Sequence, residues 1–156
     1  MKSRPSHALP PRRRRKQTPR EREITTKRRG ELSELAFTYK AASLGFAVSR
    51  PFGDSERYDF ILDSAGRLLR VQVKSSTTLL NGLYHVNGHR RTGGGRAVPY
   101  EPSEVDFLVA HIVPEDTWFI LPIGVILRAT SLLFAPRGFP RPALYDAYRE
   151  AWHLLR

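Results

Sequence analysis

Cysteine is absent from the 156-residue chain, which excludes a disulfide framework and any thiolate metal site. The five histidines lack the close spacing of a zinc motif. No uninterrupted apolar run approaches the roughly 18–20 residues of a membrane span, and the N-terminus is basic without the apolar stretch of a secretory signal. These absences predict a soluble cytoplasmic protein with no membrane partner, a location compatible with association with the nucleoid. Acidic residues are scarce in one place only. Residues 1–29 hold 12 of the 26 Lys/Arg but only Glu21 and Glu23 of the 15 acids, so +10 of the formal +11 charge sits there.

That segment also contains Pro5, Pro10, Pro11 and Pro19 and the run Arg12, Arg13, Arg14, Arg15, Lys16. It has too little apolar surface to offset the entropy of ordering it, so residues 1–28 are expected to form a disordered basic tail and residues 29–156 a single domain. A basic arm of this kind neutralises phosphates and adds sequence-independent affinity for nucleic acid, with Arg12–Arg15 as the contact residues. A merely solubilising tail is the plain alternative.

From Gly30 the character changes. The stretch ELSELAFTYKAASLGF places Leu32, Leu35, Ala36, Tyr39 and Ala42 at helical spacings, and Gly45 ends the helix. A second stripe runs from Glu34 through Phe37 and Ala41 to Leu44, so a glutamate stands in line with apolar neighbours. Short strands are expected at 46–52, 58–62, 67–76 and 83–88, with a turn at Asp63-Ser-Ala-Gly. Residues 89–99, rich in glycine and arginine, suggest a mobile loop. A strand pair is expected at 105–113 and 117–123, and a closing helix at 144–155. A helix followed by a meander of strands points to a mixed α/β or α+β domain. Tyr39, Trp118, Tyr148 and Trp152 are assigned to core or interface.

Three polar residues interrupt the apolar strands: Asp59, Gln72 and Lys74. Alternation puts Gln72 and Lys74 on one face of their strand, and the short turn brings Asp59 near them. One carboxylate, one amide oxygen and a backbone carbonyl make a partial shell for a hard cation such as Mg²⁺, with Mn²⁺ as a substitute, leaving positions for water and a phosphate. Such an ion acidifies water and neutralises phosphate charge, the two requirements of phosphodiester hydrolysis. Lys74 beside it could orient the water, stabilise the phosphate or act as a base. Glu34 is placed to hold a metal-bound water. As nucleic-acid contacts the candidates are Ser75, Ser76, Thr77 and Thr78 after the lysine, and Arg90, Arg91 and Arg96 on the glycine-rich loop. His85 and Asn87 alternate on the next strand and could face the same substrate.

In this order the residues resemble the PD-(D/E)xK nucleases, in a variant where glutamine replaces the second acidic residue. The matching elements are Glu34, Asp59 in RYDF, and Gln72-Val73-Lys74 in RVQVKS. Segment 30–155 resembles the small group associated with group I intron homing endonucleases. More distantly it is similar to archaeal Holliday-junction resolvases, whose helix glutamate precedes a Gly-Phe pair by the interval that separates Glu34 from Gly45. That interval favours Glu34 over Glu31. The resemblance implies a restriction-endonuclease-like core with a central mixed sheet flanked by helices, and a Mg²⁺-dependent deoxyribonuclease that works as a homodimer or homotetramer on DNA. It implies Glu34, Asp59, Gln72 and Lys74 as catalytic residues, the first through water. The literal Pro-Asp of the family is absent, since Tyr58 precedes the aspartate. A structure-specific resolvase, a repair nuclease, and a non-catalytic nucleic-acid-binding module are the competing readings.

Overall fold

A computed structural model describes residues 24–53 and 55–156; the expectations for the tail and for Arg12–Arg15 therefore lie outside the described residues, apart from its last few positions. Helix α1 spans Thr26–Ser43, with Thr25 Oγ1 accepting the Arg28 N–H as N-cap. It thus starts inside the segment read as tail, because Thr25 supplies the cap that Gly30 cannot.

The helix is followed by β1 (Ala47–Ser49), β2 (Phe60–Ser64), β3 (Arg67–Ser76), β4 (Leu79–Leu80), β5 (Leu83–Asn87), β6 (His89–Arg91), β7 (Ala97–Pro99), β8 (Phe107–Ile112), β9 (Thr117–Pro122) and β10 (Ser131–Phe134). The main sheet has the order β1-β2-β3-β8-β9. β3 and β8 run parallel, pairing Gln72 with Leu108 and Lys74 with Ala110, and the other neighbours are antiparallel, so the sheet is mixed. The β2–β3 hairpin closes through Ala65 and Gly66 at φ 53° and 86°, the mirror-type two-residue turn whose twist matches that of the strands.

Each face of this sheet carries its own core. On one face Phe37 and Ala41 of α1 pack on Phe60, Leu62, Val71, Val73, Val109, Trp118, Ile120 and Trp152. On the other, Leu108, Ala110, Phe119 and Leu121 meet Tyr84, Val86, Leu132 and Phe134, which belong to a smaller sheet of order β10-β5-β4. The expected core with a central mixed sheet is present, with a helix over one face and a second sheet over the other. Double coverage explains why all six residues of β8 are buried and why all but His111 are apolar rather than alternating.

The apolar stripe Leu32, Leu35 and Tyr39 faces outward, with Tyr39 at 78% exposure, whereas Phe37 and Ala41 are fully buried. Two expectations of secondary structure are corrected. Residues 89–99 form the β6–β7 hairpin, not a loop. Residues 144–155 are not a helix but two 3₁₀ turns, Asp146–Tyr148 and Trp152–Leu155. The chain breaks at Glu150, whose φ is 51° and whose carboxylate accepts the Trp118 backbone N–H and the Trp152 indole N–H, both at 2.8 Å. Tertiary bonds there outweigh helical periodicity. Among the described residues no helix is long and apolar enough to cross a membrane.

Phe37 has no exposed surface and its ring lies 5.0 Å from that of Phe60 and 6.1 Å from Trp118. Phe37→Ala is expected to cost about 3–5 kcal/mol, read from urea unfolding; a loss under about 1 kcal/mol would show that this cluster does not hold α1 to the sheet.

Candidate active site

The site begins with an irregularity in the ladder. Phe60 is the register partner of Val71, yet the Asp59 N–H also points to the Val71 carbonyl at 2.9 Å. Two residues of β2's leading end therefore oppose one of β3, the arrangement of a β-bulge, which re-aims a side chain. Asp59 Oδ2 then accepts the Val73 N–H at 2.8 Å and the Gln72 side-chain N–H at 2.6 Å. The carboxylate stands where a strand carbonyl would otherwise complete the ladder.

Along β3 the alternation holds: Val71 and Val73 enter the helix-side core, and Gln72 and Lys74 lie on the other side beside Leu108 and Ala110. Gln72 is nearly buried, 8% exposed, and its Nε2 also reaches the Val73 carbonyl at 3.2 Å. Lys74 Nζ lies 5.8 Å from the centre of the buried Tyr100 ring, a cation–π approach that sequence gave no reason to expect.

Helix α1 contributes by changing character along one face. Residues 26, 29, 30, 33 and 34 recur at helical spacing and line a cleft, while Phe37 and Ala41 continue the same stripe into the core. Glu34 sits at the change-over. Its Oε2 is held by Arg50 at 2.5 Å, an ion pair that no motif signalled because Arg50 lies in the stretch read as strand.

The cleft, about 750 Å³, is lined by Glu34, Asp59, Gln72 and Lys74 together with Ser75, Ser76, Thr77 and Thr78. His85 and Asn87 complete the wall. All four residues singled out for chemistry therefore share one cavity. The three arginines of the 89–99 segment are not among its lining residues. Arg90 instead pairs with Glu104 at 3.3 Å and Arg91 bonds to the Gly95 carbonyl. Glu31 is exposed and absent from the lining.

Comparison with known proteins agrees with this geometry. A family model described as PD-(D/E)XK endonuclease matches residues 24–153. The chain belongs to that family. Among solved structures, the bacterial homing endonuclease I-Ssp6803I is similar, with 30% identity and a TM-score of 0.72, over 85% of this chain and 92% of that one. Protein 5.3 of Escherichia phage T7 is 31% identical over 93 residues, 57% of this chain and 77% of that protein.

The electrostatics of this cleft oppose the charges it carries. Burial pushes the Asp59 carboxyl up, against the Val73 N–H, the Lys74 charge and the Gln72 amide. Glu34 is raised by burial and then by Asp59, with Arg50 working the other way. Burial lowers Lys74, and the two carboxylates partly restore it. A carboxyl raised in the native state stabilises the fold below its ordinary range, and that contribution is lost as pH climbs through the native value. Asp59 at neutral pH is therefore a cost to the fold. We expect Asp59→Asn, whose oxygen keeps both hydrogen bonds, to melt higher than wild type at pH 7 and to lose part of the decline in stability between pH 4 and 7. Thermal scans across that range check it, and a lower melting point at pH 7 would contradict it.

Proposed function

We propose that this PD-(D/E)XK endonuclease is a divalent-metal-dependent, homing-type enzyme that hydrolyses phosphodiester bonds in DNA. The convergence of Asp59, Gln72, Lys74 and Glu34 in one cleft carries the reading, and the likeness to a bacterial homing endonuclease supports it.

The donors fit a hard cation. Two half-buried carboxylates, both raised by burial and Glu34 also by Asp59, gain from a positive charge between them. Among the described residues there is no group of three His, Cys, Asp or Glu that could hold a metal. That suits Mg²⁺, and Mn²⁺ with it, since such ions take one or two carboxylates and keep waters and phosphate oxygens. Asp59 would hold the ion directly, Gln72 by its amide oxygen and Glu34 through water. Gln72 now turns its N–H to Asp59, so sharing a cation requires the amide to reverse. The bound ion would supply Lewis acidity and acidified water.

The chain's own residues do the rest. Lys74, held over Tyr100 with Asp59 and Glu34 opposing the lowering that burial imposes, donates to the phosphate or to the attacking water. Arg50 keeps the Glu34 carboxylate turned to the cleft. The hydroxyls of Ser75, Ser76, Thr77 and Thr78 offer donors to the strand's phosphates. Cutting both strands of a duplex requires a second site, so a homodimer or homotetramer is proposed. The outward stripe of Leu32, Leu35 and Tyr39 offers an apolar surface for that contact, in place of the closing helix that does not form.

Incubation with linear, branched and single-stranded DNA in Mg²⁺ or Mn²⁺ is the direct test. Asp59→Ala and Lys74→Ala should each lower the cleavage rate by roughly 10²–10⁴-fold while the protein stays folded. Gln72→Glu should keep activity with altered metal preference, and Gln72→Leu should lose it. Wild-type turnover by Lys74→Ala would remove the assignment.

A further inference from the structure

Gly30 sits in the second turn of an 18-residue helix, where glycine weakens the helix relative to alanine by leaving more backbone freedom to lose. Three other glycines have reasons internal to the fold. Gly45 and Gly66 take φ of 88° and 86°, and a Cβ on Gly88 would run into the Ala129 carbonyl. Gly30 has neither reason: its backbone is helical, and a Cβ built on it would meet nothing within 4 Å. It nevertheless lines the cleft that contains Glu34, Asp59 and Lys74, flanked along the same helix face by Thr26, Arg29 and Ser33.

We propose that Gly30 is bare so that the sugar-phosphate backbone of the bound strand can lie directly against α1 on its way to Lys74. This rests on the nuclease reading and assigns the helix wall of the cleft to the strand. On that wall Arg29 supplies a positive charge and the exposed Thr26 a hydroxyl, while the absent side chain supplies clearance. Ser75, Ser76, Thr77 and Thr78 face the strand from the sheet side. Contact of this kind reads no bases, so its loss weakens binding alike across sequences.

The test uses two substitutions in the full-length protein, Gly30→Ala and Gly30→Leu, both better helix formers than glycine. The probes are a labelled duplex of about 30 base pairs and its single strand, in about 0.3 M NaCl, where screening limits the pull of the basic N-terminal segment. Gly30→Ala should melt about 2–4 °C above wild type, and Gly30→Leu no lower than wild type. Both should bind more weakly, by roughly threefold for Ala and tenfold or more for Leu. Stability and affinity moving in opposite directions is the signature of clearance kept for a ligand. Equal affinity for the three proteins would overturn the proposal while leaving the nuclease reading intact, and a lower melting point for Gly30→Ala would overturn its premise. Failure of wild type to bind either probe would instead remove the nuclease reading beneath it.

Discussion

A single oxygen, Oδ2 of Asp59, accepts the backbone N–H of Val73 at 2.8 Å, and much of the site depends on that bond. It completes a ladder that the bulge at Asp59 leaves short, so the carboxylate is fixed by the sheet rather than by its own rotamer preference. Once it is fixed, Gln72 has an acceptor, Lys74 has a nearby countercharge, and Glu34 has a like charge to avoid. Moving Asp59 by one residue would break all of these relations together, because strand side chains alternate faces.

The place of the cleft follows from how the main sheet is covered. A parallel β3–β8 pair needs a crossover, which is commonly a helix. Here the crossover is a run of short strands, β4 to β7, and with β10 two of them build the second sheet over the far face. Helix and small sheet together bury β8 completely. Neither extends over the end of β3, so the cleft is walled by the leading turns of α1 and by residues 79, 80 and 85–87. Lys74 and Ser75 are tolerated on β3 because they stay partly exposed at the cleft, whereas the nearly buried Gln72 is tolerated because its amide bonds to Asp59 and the Val73 carbonyl.

How much of this was legible depends on where the cause lies. Local causes could be read: the β2–β3 hairpin from its turn, the β8–β9 pair from two apolar runs, and Asp59, Gln72 and Lys74 from their intrusion among apolar neighbours. Glu34 was legible because it continued the stripe of Phe37 and Ala41, which packing then buried. Non-local causes could not be read. Tyr145, Tyr148, Trp152 and Leu155 have helical spacing, but Glu150 is tied to Trp118 across the fold and the helix gives way. Arg50 and Tyr100 approach the site only through the tertiary arrangement. Ser131–Phe134 does alternate buried and exposed as a strand should, but four residues are too short a signal to mark a strand.

The departures from good folding practice lie together. Asp59 and Glu34 are half-buried carboxylates raised by their surroundings, Lys74 is a half-buried amine pushed down, and Gly30 is a helix-weakening residue with open space around it. A random scatter of such costs would be ordinary drift near a stability threshold. Concentrated on one cleft and attached to three separate elements, they describe a surface selected for something other than the fold. The signs agree as well: a cation would relieve the carboxylates, a phosphate would relieve the lysine, and a strand's backbone would occupy the space over the glycine. Each cost is of a kind that the proposed substrate and cofactor would remove on arrival, which ties the chemistry of the site to the instability it carries when alone.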